Sequence, residues 1–243
     1  MKILADLHTH TISSGHAYST ITENAQAAAQ KGLELLAITD HGPSMPGAPN
    51  LYYFGNFSVI PQNIFGVHIL RGVEANITSH EGELDLPIRY LKAMDIVLAG
   101  LHVYCYPGGT EEQNTKAYLR AMENPFVDMM VHPGRPEFKL DLEKIAFASS
   151  HLHVPLEFNN SSLCPEKGSA WDSCRLLAKA VKKYGSPVFL GSDAHYHDRV
   201  GDLELTLQLI QEFEIPEEQV INTSPQRIIS YLKARRQKHP LRV

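Results

Sequence analysis

His8 and His10 stand two apart at the end of the apolar run Ile3-Leu4-Ala5, and Asp193 and His195 stand two apart at the end of Pro187-Val188-Phe189-Leu190. Alternate residues of an extended strand share a face. Two imidazoles placed this way make half of a metal clamp, and Asp6, on the same face, could orient one of them from behind. The same placement recurs along the chain, which holds 13 histidines. His16 lies in the loop after the first run. His41 follows Leu35 to Ile38, and Glu74 follows His68 to Val73. His102 follows Ile96 to Leu101, and His132 follows Val127 to Val131.

One histidine at a strand end is more often a hydrogen-bonded structural residue than a ligand. Nine metal-type residues at equivalent positions point to a shared cause, because crowded imidazoles need partners for their polar atoms. Nine donors are too many for one tetrahedral zinc and suit two or three ions bridged by a carboxylate. Mixed imidazole and carboxylate donors accept zinc, iron or manganese. His68, His80, His151, His153 and His239 read as ordinary strand, turn or surface residues. His197, two beyond His195, could touch a substrate.

The elements that carry these residues alternate. Short apolar runs, each of strand length, are separated by helical segments: Asn24 to Lys31 after the capping-box spacing Thr20-x-x-Glu23, a short helix within Glu83 to Lys92, Thr110 to Asn124, Leu140 to Ser150 and Trp171 to Tyr184. Leu203 to Phe213 and Gln226 to Arg236 read as amphipathic helices. This order predicts a parallel sheet with crossover helices. The sixth run, Val154 to Phe158, leads into a polar turn, Asn159 to Ser162, and adds no ligand. Pro43 to Gly66 is broken by prolines and glycines and carries Tyr52, Tyr53, Phe54, Phe57 and Phe65. It reads as a loop packed by its own aromatics, a lid over a pocket or an interface. The basic tail (Lys233, Arg235, Arg236, Lys238, Arg242) reads as a solvated helix end that suits the dipole. In a β/α barrel the carboxyl ends of the strands form one face, where active sites are built.

The ordered set His8-Thr9-His10, His16, Thr39-Asp40-His41, Gly72-Val73-Glu74, His102, His132-Pro133 and Ser192-Asp193-Ala194-His195 resembles the PHP (polymerase and histidinol phosphatase) family. Within it, the likeness is to small stand-alone phosphatases of the YcdX type. The resemblance covers essentially the whole chain and implies a distorted seven-stranded (β/α)7 TIM-like barrel, residues 1–243 forming a single PHP domain. It implies three divalent metal ions, most often zinc. One would be held by His8, His10, Glu74 and Asp193, a second by Glu74, His102 and His132, and the third by His16, His41 and His195.

Such a centre suits hydrolysis of a small phosphomonoester by a metal-bridging hydroxide, with Glu74 and Asp193 serving catalysis through the ions they hold. No Cys-x5-Arg loop or Gly-x-Ser-x-Gly elbow offers a protein nucleophile. Arg135, just after His132, reads either as a grip on the phosphate or as a surface salt bridge. Asp6 and Asp40 are candidates only for orienting ligands. Competing readings are a nuclease, a histidinol phosphatase, and a metal-storing protein without turnover.

The remaining features bound these readings. At 243 residues the chain has the length of one such barrel. A net charge of −5 argues against general nucleic-acid or membrane binding. No signal peptide or membrane-length apolar run is evident. Cys105, Cys164 and Cys174 form no disulfide framework or CxxC pair, so a reducing cytoplasm is expected, with an oligomer allowed.

Overall fold

Parallel strands with both faces covered read as continuous apolar runs, and the chain builds such a sheet. The computed structural model describes residues 1–165 and 170–238. Its strands, in chain order, are β1 (Ala5–Asp6), β2 (Leu35–Ile38), β3 (Asn63–Ile64), β4 (Val67–Asn76), β5 (Ile96–Gly100), β6 (Met129–Met130), β7 (Leu156–Asn159) and β8 (Val188–Gly191). Strand order is β1-β2-β4-β5-β6-β7-β8, all parallel, while β3 is a short antiparallel partner of β4. A bridge between Thr9 and Ala194 brings the last strand back to the first. The result is a nearly closed barrel of seven parallel strands, as the resemblance implied.

The helices are α1 (Ile21–Gln30), α2 (Leu51–Gly55), α3 (Ile88–Leu91), α4 (Glu111–Glu123), α5 (Leu142–Leu152), α6 (Asn160–Leu163), α7 (Trp171–Tyr184), α8 (Glu204–Glu212) and α9 (Pro225–Lys238). Thr20 and Glu23 form the expected capping box of α1, and Thr110 with Gln113 forms a second at α4. No helix among the described residues is long and apolar enough to cross a membrane.

Side-chain alternation sorts each strand between interior and exterior. Leu35, Ala37, Leu70, Ile96, Leu98 and Phe189 pack together inside the barrel. Leu36, Ile38 and Ile69 pack outward against α1, and Val73 and Ala75 against the segment holding Phe54 and Phe57. Continuing the alternation of β4 from Leu70 turns Glu74 inward, at the strand's carboxyl end.

The floor of the barrel is plugged by α9. Ile228 and Leu232 join the interior cluster, and burying each such side chain stabilises by about 1.5–3 kcal/mol. The basic tail is therefore not a simple solvated end. Arg235 donates to Val127 O at 2.6 Å, and Arg236 to Met94 O at 2.6 Å and Asp95 O at 2.8 Å. These carbonyls lie beneath the strands, where a guanidinium fork reaches what an apolar helix face cannot. Lys233 and Lys238 are exposed; Arg242 and His239 lie outside the described residues.

Two further expectations change. Pro43 to Gly66 does hold regular structure: Asn50 caps α2, with its side chain accepting from Tyr52 N–H, and β3 follows. Asn159 to Ser162 is not a turn, because the Asn159 side chain caps α6 by accepting from Ser162 N–H at 2.8 Å.

Below the Thr9–Ala194 bridge, buried side chains span the gap between β1 and β8: Asp6 accepts from Ser192 N–H at 3.2 Å, and Asn222 reaches across further down. Asn222, fully buried, donates to Ala5 O at 2.9 Å and Leu190 O at 2.8 Å, and accepts from Leu190 N–H at 3.1 Å. Its amide thus replaces the missing ladder. Asn222→Leu strands these backbone groups, each costing about 1–3 kcal/mol when buried without a partner. The expected loss is about 3 kcal/mol, measured as a lower urea midpoint with unchanged m-value.

Candidate metal centre

The seam that closes the barrel also assembles the site. Asp193 N–H donates to His8 O, and His10 N–H to Ala194 O, each at 2.9 Å. This pairs the two motifs from opposite ends of the chain. His8 Nε2 and His10 Nε2 come within 3.1 Å of each other. His8 Nε2 lies 3.4 Å from Glu74 Oε2 and 3.7 Å from Asp193 Oδ1; His10 Nε2 lies 3.5 Å and 3.2 Å from the same atoms. A tetrahedral ion with ligands 2.0–2.1 Å away places them about 3.4 Å apart. Two imine lone pairs facing each other repel unless a proton or cation lies against both. This donor set fits a divalent cation.

The other donors continue from this cage. Glu74 Oε1 lies 3.0 Å from His102 Nε2 and 2.8 Å from His132 Nε2. Its Oε2 lies 2.7 Å from His41 Nδ1, yet both atoms, with His102 Nδ1, are buried without a hydrogen bond. Buried polar atoms left this way are costly unless something else satisfies them. The His16 ring stacks 5.0 Å from His41 and lies 4.8 Å from His195. Three overlapping groups, His8–His10–Asp193, His10–His41–His195 and His41–Glu74–His102, could each hold an ion. All nine residues singled out in the sequence therefore meet at one end of the barrel.

A surrounding set of acceptors aims the rings. His8 Nδ1 donates to Glu157 Oε1 at 2.7 Å, which turns Nε2 toward the centre. Glu157 also accepts from His132 N–H at 2.8 Å. The sixth barrel strand, expected to add no ligand, supplies the carboxylate that holds two candidate ligands from behind. The signal was present in the sequence: a lone Glu inside the run Val154 to Phe158. Leu156 and Phe158 face the helices, so Glu157 faces inward. Gly191 makes room, since a Cβ there would sit 2.0 Å from Glu157 Oε1. Asp6 does not take the orienting role foreseen for it; its carboxylate accepts from the backbone N–H groups of His8, Ser192 and Gly201.

Asp40 works through Ser14. Ser14 Oγ donates to Asp40 Oδ1 at 2.7 Å and accepts from His10 Nδ1 at 3.0 Å. Asp40 also accepts from Thr11 N–H at 2.7 Å and from Tyr53 OH at 2.6 Å. Through Asp40, Tyr53 ties α2 to the cluster of candidate ligands, so part of Pro43 to Gly66 props it. His132 and Asp193 have positive φ, 34° and 54°. Non-glycine residues are uncommon there, and both of these belong to the donor cluster.

Burial and neighbouring groups shift the titration of the cluster's members in different directions. Burial, with His195 and His41 nearby, keeps His10 well below the usual imidazole pKa. Burial, with Arg135 nearby, pushes His132 down to about 3. Burial also opposes ionisation of Glu74 and Asp193, but the surrounding histidines, and Arg135 for Asp193, hold both well below the carboxylate range. His8 departs from this pattern: against the effect of burial, Glu157, Glu74 and Asp193 raise it.

A cavity of about 700 Å³ opens over the cluster, lined by His16, His41, His102, Asp193 and His195. Arg135 forms part of its wall, with 28% of the side chain exposed, paired to Asp193 and donating to Ser162 Oγ at 2.9 Å. It is a salt bridge, but inside the site. His197 is not in this wall; it bonds Ser19 Oγ at 3.1 Å and packs on Tyr196. His80 is half-buried and bonds Gly108 O at 2.8 Å.

The PHP domain family model matches residues 6–214. The chain belongs to the PHP family. It is 49% identical over 239 residues to a probable phosphatase of Thermoanaerobacter sp. (strain X514), covering 98% of each chain. A probable phosphatase of Acetivibrio thermocellus is 45% identical over 238 residues, again with 98% of each covered. Among solved structures, a histidinol phosphate phosphatase of Lactococcus lactis, complexed with zinc, L-histidinol and phosphate, has the same fold. It aligns with a TM-score of 0.57 at 18% identity, covering 87% of this chain and 94% of that one. A chain of an archaeal ribonuclease P solved with mature tRNA aligns at 0.60 with 16% identity, covering 97% and 93%. The barrel fold alone therefore does not decide the function, and the site must carry the functional argument.

The hydrogen bond from Tyr53 to buried Asp40 tests how the site is braced. Loss of a bond to a charged group costs about 1.5–3 kcal/mol, so Tyr53→Phe is expected to lower the calorimetric Tm by about 5 °C. Tyr52→Phe, at a residue 83% exposed, leaves Tm unchanged.

Proposed function

We propose that this chain is a metal-dependent phosphomonoesterase of the cytoplasm, and that its nine clustered donors hold three divalent ions, zinc being the first choice. The observation that carries this reading is the meeting of His8 and His10 with Glu74 and Asp193: the imidazole nitrogens lie 3.1 Å from each other and 3.2–3.7 Å from the carboxylate oxygens, spacings that suit a tetrahedral ion. Glu74, His102 and His132 would hold a second ion, and His16, His41 and His195 a third. The names of the relatives at 45–49% identity support the reaction class, and the three free thiols suit a reducing compartment.

Bound ions would supply a water molecule ionised near neutral pH and positive charge for the phosphoryl oxygens. The chain's own residues set the geometry. Glu74 presents Oε1 to His102 and His132 and Oε2 to His8 and His10, so it would be shared between two ions. Glu157 and Ser14 fix the rings of His8 and His10 with Nε2 inward. Arg135, at the cavity wall, offers a guanidinium fork that matches phosphate oxygens. Its bond to Asp193 keeps it beside the centre when no phosphate is there to hold it. The acidic chain and the scarcity of Lys and Arg among the described residues lining the cavity argue against a groove for nucleic acid.

Elemental analysis and turnover of a simple phosphate ester test the proposal together. Removal of metal by a chelator should abolish hydrolysis, and restored zinc or manganese should return it. Glu74→Gln should lose bound metal and lower kcat/KM by at least about a thousandfold. Glu157→Gln should keep the ligands but weaken metal affinity about 10- to 100-fold, read by competition with a chromophoric chelator. Full turnover by metal-free protein would overturn the reading.

A further inference from the structure

The cavity is far larger than the five heavy atoms of an orthophosphate; pockets of its size, about 700 Å³, ordinarily take a whole organic ligand. Its floor is the donor cluster, but its rim is of another character. Val103 and Tyr104 line it from the loop after β5, and Met45 and Pro46 from the segment before α2. Val103 is 60% and Tyr104 78% exposed.

These two side chains are held out by their backbone. They directly follow His102, and the N–H groups of Cys105 and Tyr106 both donate to His102 O at 3.0 Å, closing the turn. Tyr106 anchors it, buried with its ring 5.4 Å from both His80 and Phe138. An apolar shelf is therefore presented at a set distance from a residue of the donor cluster. Charge narrows the choice further. Among the described residues lining the cavity, Arg135 is the one Lys or Arg, and it is already paired with Asp193. The lining carboxylates are Glu137 and Asp193. A second anionic group held at the rim, away from the donor cluster, would meet Glu137 with no further Lys or Arg among the described lining residues to pair with it, which disfavours it.

Resting on the phosphomonoesterase reading, we propose that Val103 and Tyr104 form the leaving-group subsite and that the preferred substrate is the monophosphate of an apolar or aromatic alcohol. The phosphoryl group lies over the donor cluster and the alcohol's carbon skeleton lies against the shelf. Compounds with a second phosphate or a carboxylate are disfavoured.

The test compares 2-phenylethyl phosphate with glycerol 3-phosphate, whose alkyl leaving groups are of similar acidity, and with 1,3-propanediol bisphosphate, all on the metal-loaded enzyme. The expected order of kcat/KM is phenylethyl first, by about tenfold, and the bisphosphate last. Tyr104→Ala removes a ring contact worth about a factor of ten. The phenylethyl-to-glycerol ratio of kcat/KM should fall accordingly, mainly through KM. As Tyr104 is exposed, folding of this variant is expected to be unaffected, checked by an unchanged Tm. An unchanged ratio in Tyr104→Ala, or preference for the bisphosphate, overturns the subsite. Hydrolysis of none of the three esters overturns the phosphomonoesterase reading along with it.

Discussion

Everything in this protein depends on one seam. His8, His10, Asp193 and His195 come together because the β1 and β8 extensions pair across Thr9 and Ala194. Without that bridge the two motifs would lie at opposite edges of an open sheet. The seam is short, and it is reinforced from below by Asn222, whose amide does what a further stretch of strand would otherwise do. Closing the barrel and building the site are thus one structural event. The bonds that close the upper seam come from His8, His10, Asp193 and Ala194 themselves.

Closure creates an electrostatic problem that the next layer of residues answers. Imidazole nitrogens 3.1 Å apart and two carboxylates beside them would repel or scatter if their rings could turn. Glu157 and Ser14 prevent this by accepting from the Nδ1 atoms of His8 and His10, and the Asp193 carbonyl does the same for His195 at 3.0 Å. A ligand ring held from behind is already oriented before it meets a cation, so less ordering remains to be done on binding. The bracing extends to the surface through Asp40 and Tyr53, which makes the segment around α2 a support for the centre as well as part of its rim.

The same arrangement separates two tasks in space. Strand ends and their polar backing carry the donor cluster, while the loops beyond them form the rim of the cavity above it. This division matches the spread of the fold across a phosphatase from Lactococcus lactis and a chain of ribonuclease P. The barrel provides convergence, and the loops can change without disturbing it.

The sequence alone determined the alternation of strands and helices, the capped start of α1, and the nine donor positions. Each of these is written in local spacing: apolar runs of strand length, a polar cap and chemistry-bearing residues just past each run. Tertiary structure decided what depends on contacts between distant residues. Glu157 reads in sequence as one carboxylate in an apolar run, and only the partners it meets, 149 residues away at His8 and 25 away at His132, make it a brace. Asp6 had the right spacing to aim a ring, yet nearby backbone N–H groups claimed its oxygens. Arg235 and Arg236 looked like a solvated end until the barrel floor offered them carbonyls. Spacing along a chain specifies which face a side chain occupies; which atom satisfies it is a property of the folded surroundings, because hydrogen bonds and ion pairs are made at about 3 Å in space.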